Sequence, residues 1–260
     1  MTDSDEFIVR SERPAIVTGA ARGIGAGIAD ALLAAGHPVV VVDINTDALA
    51  EFRAARPKLA ERLAIVAADV SDEAAWETIL QETQRRFGPV AVLVNNAGIS
   101  PKHNGLRRET DGMPLEEWNR VIAVNLTSAF LGVRAVLPAM RAQGWGRIVN
   151  VSSQAGRQGA RIAGVHYGVT KSALLGLAMT VAYEYGADGI TANSVTPGRV
   201  ETDMAAQAPD EVNARLAAAI PVGRVGQPAD IGATISFLAG DSASFITGAT
   251  IDVNGGSFMG

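Results

Sequence analysis

Short runs of β-branched and other apolar residues alternate along the chain with longer stretches whose apolar positions recur every three to four residues. The short runs predict strands at residues 15–18, 39–43, 64–67, 90–94, 147–151, 190–195 and 250–253. Several, such as Val39-Val40-Val41-Val42, are apolar without alternation, as strands are when a parallel sheet is covered on both faces. The longer stretches between them predict helices. Two of these, 115–140 and 165–185, carry small or apolar residues on more than one face, with Ala129, Leu137, Leu174, Leu177 and Met179 among them. A helix apolar nearly all round must be covered, here in part by another subunit. Strand–helix repetition of this kind predicts an α/β, doubly wound, mainly parallel seven-stranded sheet flanked by helices. No linker, repeat or low-complexity tract interrupts it, so residues 1–260 are expected to form a single domain.

Ligands on such a sheet bind beyond the carboxyl ends of the strands, where strand order reverses. The first strand runs into Thr18-Gly19-Ala20-Ala21-Arg22-Gly23-Ile24-Gly25, and a helical pattern follows. Glycines there let the backbone turn tightly and approach a pyrophosphate, whose charge the helix amino terminus favours. The spacing is G-x-x-x-G-x-G, so the turn by itself also fits a plain strand–helix connection. Asp43 ends the second strand, where a carboxylate can accept hydrogen bonds from adenosine ribose hydroxyls. A solvated Asp capping the next helix, near Asn45, is the other reading of that position. Asp69-Val70 ends the third strand and Asn95-Asn96-Ala97-Gly98 the fourth, placing small or polar groups on the same edge. Asp69 is equally readable as a turn residue.

The fifth strand ends in Asn150-Val151-Ser152-Ser153, and the helix after it carries Tyr167 and Lys171 one turn apart, on one face. A phenol near pKa ~10 is a poor base at neutral pH, and lowering it to ~7 takes roughly 4 kcal/mol. One ammonium about 4 Å away supplies energy of that order at an effective dielectric near ~20. The pair therefore predicts a phenol with a depressed pKa acting as an acid–base, with a Ser hydroxyl holding the substrate oxygen.

Composition narrows the alternatives. With no cysteine, disulfides, thiolate metal sites and a Cys nucleophile are excluded. The three histidines, His37, His103 and His166, show no ligand spacing, so no metal is expected. His166 reads as a helix-start histidine facing solvent. Ser153 lacks the G-x-S-x-G elbow of a serine hydrolase. A net charge of −5 without a long basic run argues against nucleic acid as a partner. The acidic segment 1–10 has no apolar stretch that would mark an export signal, and the aliphatic run at 39–42 is too short to cross a bilayer, so no membrane association and a cytoplasmic location are expected.

Taken together, the 18–25 turn, Asn95–Gly98, Asn125, Ser153, Tyr167/Lys171 and Pro197-Gly198 closely resemble the short-chain dehydrogenase/reductase family, across nearly the whole chain from Pro14 onward. The resemblance implies a Rossmann-like fold and hydride transfer between a nicotinamide dinucleotide and a ketone or secondary alcohol. Asp43, placed where a 2′-phosphate would sit, points to NAD rather than NADP, while Arg22 pulls the other way. The resemblance also implies that Asn125, Ser153, Tyr167 and Lys171 form the catalytic set. Tyr167 would exchange the proton, Ser153 orient the substrate oxygen, Lys171 bind the nicotinamide ribose, and Asn125 position a relay water. Ser152 is the alternative serine. Cofactor contacts would come from Gly19, Arg22, Gly23, Ile24, Gly25, Asp43, Asp69, Val70, Asn96, Ala97 and Gly98. Pro197, Gly198, Val200 and Thr202 would close over the nicotinamide. The carboxyl-terminal half resembles 3-oxoacyl-carrier-protein reductases, and the family implies a homotetramer. Residues 100–113 are longer than the family's usual segment and are expected either to shape a substrate entrance or to form a solvated loop. A regulator that binds NAD without turnover is the competing class, disfavoured because a sensor has no need of a tuned phenol.

Overall fold

The computed structural model describes residues 13–206 and 210–260; the acidic segment 1–10 lies outside them. The strands are β1 (Ala15–Thr18), β2 (Val39–Asp43), β3 (Leu63–Ala67), β4 (Val92–Asn95), β5 (Gly146–Val151), β6 (Ile190–Pro197) and β7 (Thr250–Val253). They form one seven-stranded sheet in the order β3-β2-β1-β4-β5-β6-β7. Every neighbouring pair is parallel, so the sheet is wholly and not mainly parallel. Strand order reverses between β1 and β4, which lie side by side although two strands separate them in sequence.

Continuous apolar strands arise because successive side chains point to opposite faces and both faces are covered. Val17, Val39 and Val41 pack with Ile28, Leu32, Ile231 and Ile235 from α1 (Gly23–Ala34) and a later helix, Pro228–Leu238. Their neighbours Ile16, Val40 and Val42 pack on the other face with Trp76, Ile79, Val136 and Met140. The remaining helices, in chain order, are α2 (Thr46–Ala54), α3 (Ala75–Phe87), α4 (Leu115–Ile122), α5 (Ser128–Gln143), α6 (Ala155–Gln158), α7 (Val165–Tyr185), α8 (Asp203–Ala206) and α9 (Asp210–Ala218), with Pro228–Leu238 as α10.

Differences from the sequence expectation have local causes. β4 starts later than residue 90 because the N–H groups of Ala91 and Val92 both converge on the Pro14 carbonyl, at 2.9 and 3.0 Å. β6 runs on to Pro197 because its end pairs with β7. The single helix expected at 115–140 is α4 and α5 joined by a π turn over Ala123–Thr127. It stops past residue 140, where Gly144 turns left-handed at φ 61°. This joined run, Leu115–Gln143, is long and apolar enough to cross a bilayer by length and composition, at mean hydropathy 1.6, but 56% of its apolar stretch is buried inside the fold.

The all-round apolar character of α5 and α7 is mostly used within the chain. Ala129, Leu137 and Leu174 are buried in its own core, and Leu177 packs partly against it. Met179 stays exposed, as do Phe130, Val169 and Tyr183 on the same two helices.

Candidate active site

A cleft of about 580 Å³ opens along the carboxyl edge of the sheet, from the end of β2 across the β1/β4 reversal to β6. The turn after β1 is latched to the loop after β4. Thr18 Oγ1 accepts from the backbone N–H groups of Asn96 and Ala97 at 3.1 Å each, and the Asn96 amide donates to the carbonyls of Thr18 and Gly19 at 2.9 and 2.8 Å. Gly19 is left-handed (φ +61°), and a Cβ there would lie 2.7 Å from Ala97 Cα. At Gly25 a Cβ would lie 2.3 Å from the Gly19 carbonyl oxygen. Only glycine fits either place. The N-cap of α1 is Arg22, which provides no side-chain bond to the first turn, so those N–H groups face the cleft available to an anion. A dinucleotide pyrophosphate fits this cradle.

At one end of the cleft Asp43 accepts from the N–H of Ala21 and from that of Asn45, both at 3.1 Å. Asn45, not Asp43, caps α2, bonding Ala48 N–H at 2.9 Å. Arg22 reaches toward α2 and pairs with Glu51 at 3.4 Å, with both side chains largely exposed. Asp69 accepts from the Ser71 hydroxyl at 2.6 Å and the Ser71 N–H at 3.0 Å, which, with Arg120 nearby, hold its carboxyl below the usual range. It is thus a turn residue that also lines the cleft, with Val70 beside it.

The other end gathers Ser153, Tyr167, Lys171, Pro197, Gly198, Val200 and Thr202. The two adjacent serines separate cleanly. Ser152 is buried and donates to the Lys171 carbonyl at 2.6 Å, tying β5 to α7. Ser153 faces the cleft and hydrogen-bonds the Tyr167 side chain. Lys171 is buried, with its ammonium donating to the Val151 carbonyl at 2.7 Å and lying 5.6 Å from the centre of the Tyr167 ring. Burial drives the Lys171 pKa down to about 8.

The phenol does not follow the sequence expectation. Burial pushes the Tyr167 pKa up, and the Ser153 hydrogen bond offsets that only in part. The ammonium is aimed at a backbone carbonyl 2.7 Å away, and desolvation of the phenolate outweighs the Ser153 hydrogen bond. A phenol in this environment holds its proton at neutral pH.

Asn125 does not line the cleft. It sits in the π turn behind Gly98, accepts from Ile99 N–H at 2.8 Å, and donates to the Ile99 carbonyl at 3.0 Å and Thr170 Oγ1 at 3.4 Å. Its amide is engaged on both sides and braces the loop after β4 next to the Lys171 ammonium. His166 is not solvent-facing: it is fully buried, bonded to Glu117 at 3.1 Å and to the Tyr167 N–H at 2.7 Å. The start of α7 meets Glu117 of α4, which the isolated helical pattern does not reveal. Of that loop, Ser100 and Lys102 line the cleft, and Lys102 donates to the Ile162 carbonyl. Arg107 and Arg108 turn instead to Glu109 and Glu117. The sequence reading missed Lys102, Arg120, Met204 and Ile220 as cleft-lining residues. Lys102, one of three lysines in the chain and placed in the lengthened loop, was the one with a usable signal.

Residues 19–257 match a family model described as enoyl-(acyl carrier protein) reductase. The chain is 41% identical over 249 residues to an acetoacetyl-CoA reductase of Shinella zoogloeoides, covering 95% of this chain and 99% of that one. It is 38% identical to the 3-oxoacyl-[acyl-carrier-protein] reductase FabG of Escherichia coli K12, covering 94% and 97%. A crystal structure of a 3-oxoacyl-[acyl-carrier protein] reductase with bound NAD from Brucella melitensis superposes with a TM-score of 0.90 at 39% identity, covering 97% of this chain and 93% of that one.

The buried ammonium has a measurable cost. Native Lys171 loses its proton near pH 8, whereas an unfolded lysine keeps it to about pH 10.4. Below pH 8 the native state therefore carries a penalty of up to about 3 kcal/mol, which fades as pH rises toward about 10.4. Lys171→Met is expected to unfold at higher denaturant than wild type at pH 7, by about 1–2 kcal/mol after the lost Val151 bond is subtracted. As pH rises the penalty fades while the lost bond remains, so the gap should close and then reverse in sign by about pH 10.5. Urea unfolding across that range checks this, and a variant less stable than wild type at pH 7 contradicts it.

Proposed function

The chain belongs to the short-chain dehydrogenase/reductase family of oxidoreductases, and on that premise we propose that it reduces the keto group of 3-oxoacyl thioesters with NADH, Tyr167 giving the proton. The observation that carries the reading is the meeting, in one cleft, of the glycine turn with Ser153, Tyr167 and Lys171. The substrate class is supported by the reductases to which the chain is similar over nearly its whole length. A nicotinamide dinucleotide would supply the hydride: Gly19–Gly25 would hold its pyrophosphate, and Lys171, Pro197, Gly198, Val200 and Thr202 its nicotinamide end.

Ser153 and Tyr167 hydroxyls hold the ketone oxygen from the same side. As negative charge builds on that oxygen, Tyr167 passes it the phenolic proton and the product leaves as an alcohol. The raised pKa keeps the phenol protonated before the reaction but makes it a weaker acid, so donation is driven by the far more basic alkoxide forming on the substrate. The phenolate left behind is balanced by the Lys171 ammonium, whose own lowered pKa eases delivery of a replacement proton. Asn125 serves by holding Gly98 and Ile99 beside that ammonium. No observation favours a regulator without turnover over this arrangement. We read the protein as a cytoplasmic enzyme.

Assays of acetoacetyl-CoA reduction test the activity. Tyr167→Phe is expected to keep cofactor affinity and lose at least ~10²-fold in kcat, the scale of a missing general acid. Turnover near wild type in that variant would sink the assignment.

We read the cofactor as NAD over NADP. Asp43 stands at the end of β2 with both oxygens fixed by backbone N–H groups. A 2′-phosphate placed there meets a held negative charge, while the exposed Arg22 is engaged, weakly, by Glu51. Repulsion of several kcal/mol at ~4 Å, even if screened to a quarter, leaves about tenfold or more. The kcat/KM with NADH should exceed that with NADPH by about tenfold or more, and Asp43→Ser should narrow the gap. Equal efficiency in the wild type would mean that Arg22 decides.

The exposed Phe130, Val169, Met179 and Tyr183 on α5 and α7 support a homotetramer assembled through these helices. Light scattering at micromolar protein is expected to return four chains, and a monomer contradicts the assembly.

A further inference from the structure

The lengthened 100–113 loop and the first turn of α7 meet on one carboxylate. Glu117, in the first turn of α4, is largely buried. Its Oε1 lies 3.1 Å from Nε2 of His166, and its Oε2 lies 2.8 Å from Nε2 of His103 and accepts from Arg108 Nε at 3.2 Å. Burial alone would raise the Glu117 pKa, but the hydrogen bonds from His166 and His103 hold the carboxyl below its usual range. None of these four residues lines the cleft.

The His166 ring is 0% exposed, and its Nδ1 accepts from the backbone N–H of Tyr167 at 2.7 Å. An amide nitrogen always carries its hydrogen, so Nδ1 presents a lone pair and the ring hydrogen sits on Nε2, from which it donates to Glu117. The N-cap of α7 is Gly164, which has no side chain to satisfy the first-turn donors. The Tyr167 N–H otherwise has only the Gly164 carbonyl, at 3.1 Å. The imidazole does the capping from inside the helix. A Cβ on Gly164 would lie 2.7 Å from the ring, so the glycine is what lets the ring fold back.

On the other side of the carboxylate, a tight turn through Asn104 (φ 52°) and the His103–Leu106 bridge points His103 and Arg108 at Glu117. The residue before His103 is Lys102, which reaches the cleft. A single acidic side chain thus couples the backbone of Tyr167 to the loop at the substrate mouth.

We propose that Glu117 and His166 are positioning residues for the reaction: the ring sets the backbone of Tyr167, and the carboxylate ties to it the loop that brings Lys102 to the cleft. The inference rests on Tyr167 being the proton donor. It assigns the two halves different kinetic effects. His166 governs kcat through the placement of the phenol, and the charge on Glu117 governs KM through the loop.

Four variants, each assayed with acetoacetyl-CoA and NADH beside a fluorescence measurement of NADH affinity, separate the cases. His166→Phe fills the space but loses both bonds. It is expected to lower kcat by at least about tenfold, since a misplacement near 1 Å costs up to ~10²-fold. NADH affinity should stay within about twofold, and the alkaline limb of the kcat profile, set by Tyr167, should move. His166→Asn restores an acceptor for the Tyr167 N–H and should recover most of the loss. Glu117→Gln keeps an acceptor for His166 but no longer holds the guanidinium and second imidazole, so KM should rise about three- to tenfold with kcat nearly unchanged. Tyr167→Phe is the control: if it stays active, the proton-donor reading has failed and this inference falls with it. If Tyr167→Phe is inactive while His166→Phe and Glu117→Gln both bind NADH and keep wild-type kcat, KM and pH profile, the proposal is overturned. Where His166→Phe does not fold, His166→Asn and Glu117→Gln decide: the asparagine near wild-type kcat with raised KM in the glutamine supports it, and wild-type KM in Glu117→Gln overturns it.

Discussion

The site hangs on a reciprocal clasp between the end of β5 and α7, centred on Lys171. The lysine ammonium donates to the Val151 carbonyl at 2.7 Å while the Ser152 hydroxyl donates to the lysine carbonyl at 2.6 Å. The strand end and the helix turn therefore hold each other at two points within one residue's reach, and both bonds are buried. Close approach is essential to it: a Cβ on Gly156 would lie 2.7 Å from the Lys171 carbonyl carbon. With this clasp fixed, Ser153 and Tyr167 fall side by side, since each sits next to or one turn from a clasped residue.

A second latch operates where the sheet reverses. Thr18 and Asn96 make four side-chain hydrogen bonds between the turn after β1 and the loop after β4, two with each other's residue and one each with Ala97 and Gly19. They spend side-chain polar groups on backbone partners, and by doing so leave the amino end of α1 clear. The latch lies midway along the cleft and the clasp toward one end, and Asn125 with the Gly98–Ile99 backbone connects them. The π turn around Asn125 interrupts what would be a regular helix of α4 and α5, and such turns are frequent at functional sites. Here the interruption puts an amide where it can bond both the N–H and the carbonyl of Ile99.

Electrostatics at the two ends differ in kind. Around Asp43 and Asp69 the carboxylates are satisfied by nearby N–H and O–H groups and remain partly wet. Around Tyr167 and Lys171 burial dominates, raising one pKa and lowering the other, so that both side chains shift toward their neutral forms. The phenol therefore stays protonated at neutral pH, and the amine releases its proton more readily than a free lysine does.

Much of this was legible in the sequence. Seven apolar runs became seven strands with ends shifted by at most two residues, because burial on both faces forces continuous apolarity whatever the neighbours are. The glycines at 19 and 25 and the Tyr167–Lys171 spacing were readable for the same reason: backbone sterics and helical periodicity act over a few residues. Other features were decided only by the tertiary structure. Ser152 and Ser153 look alike in a strand end, yet one is taken by the Lys171 carbonyl and the other faces the cleft. His166 reads as exposed, but it is buried and bonded to Glu117 from α4. The direction of the Tyr167 shift was misread, since the spacing of a lysine says nothing of where its ammonium points or how dry the ring is. Local geometry is written in neighbouring residues, whereas solvation and hydrogen-bond partners are supplied by segments far apart in the chain, and charge chemistry depends on those.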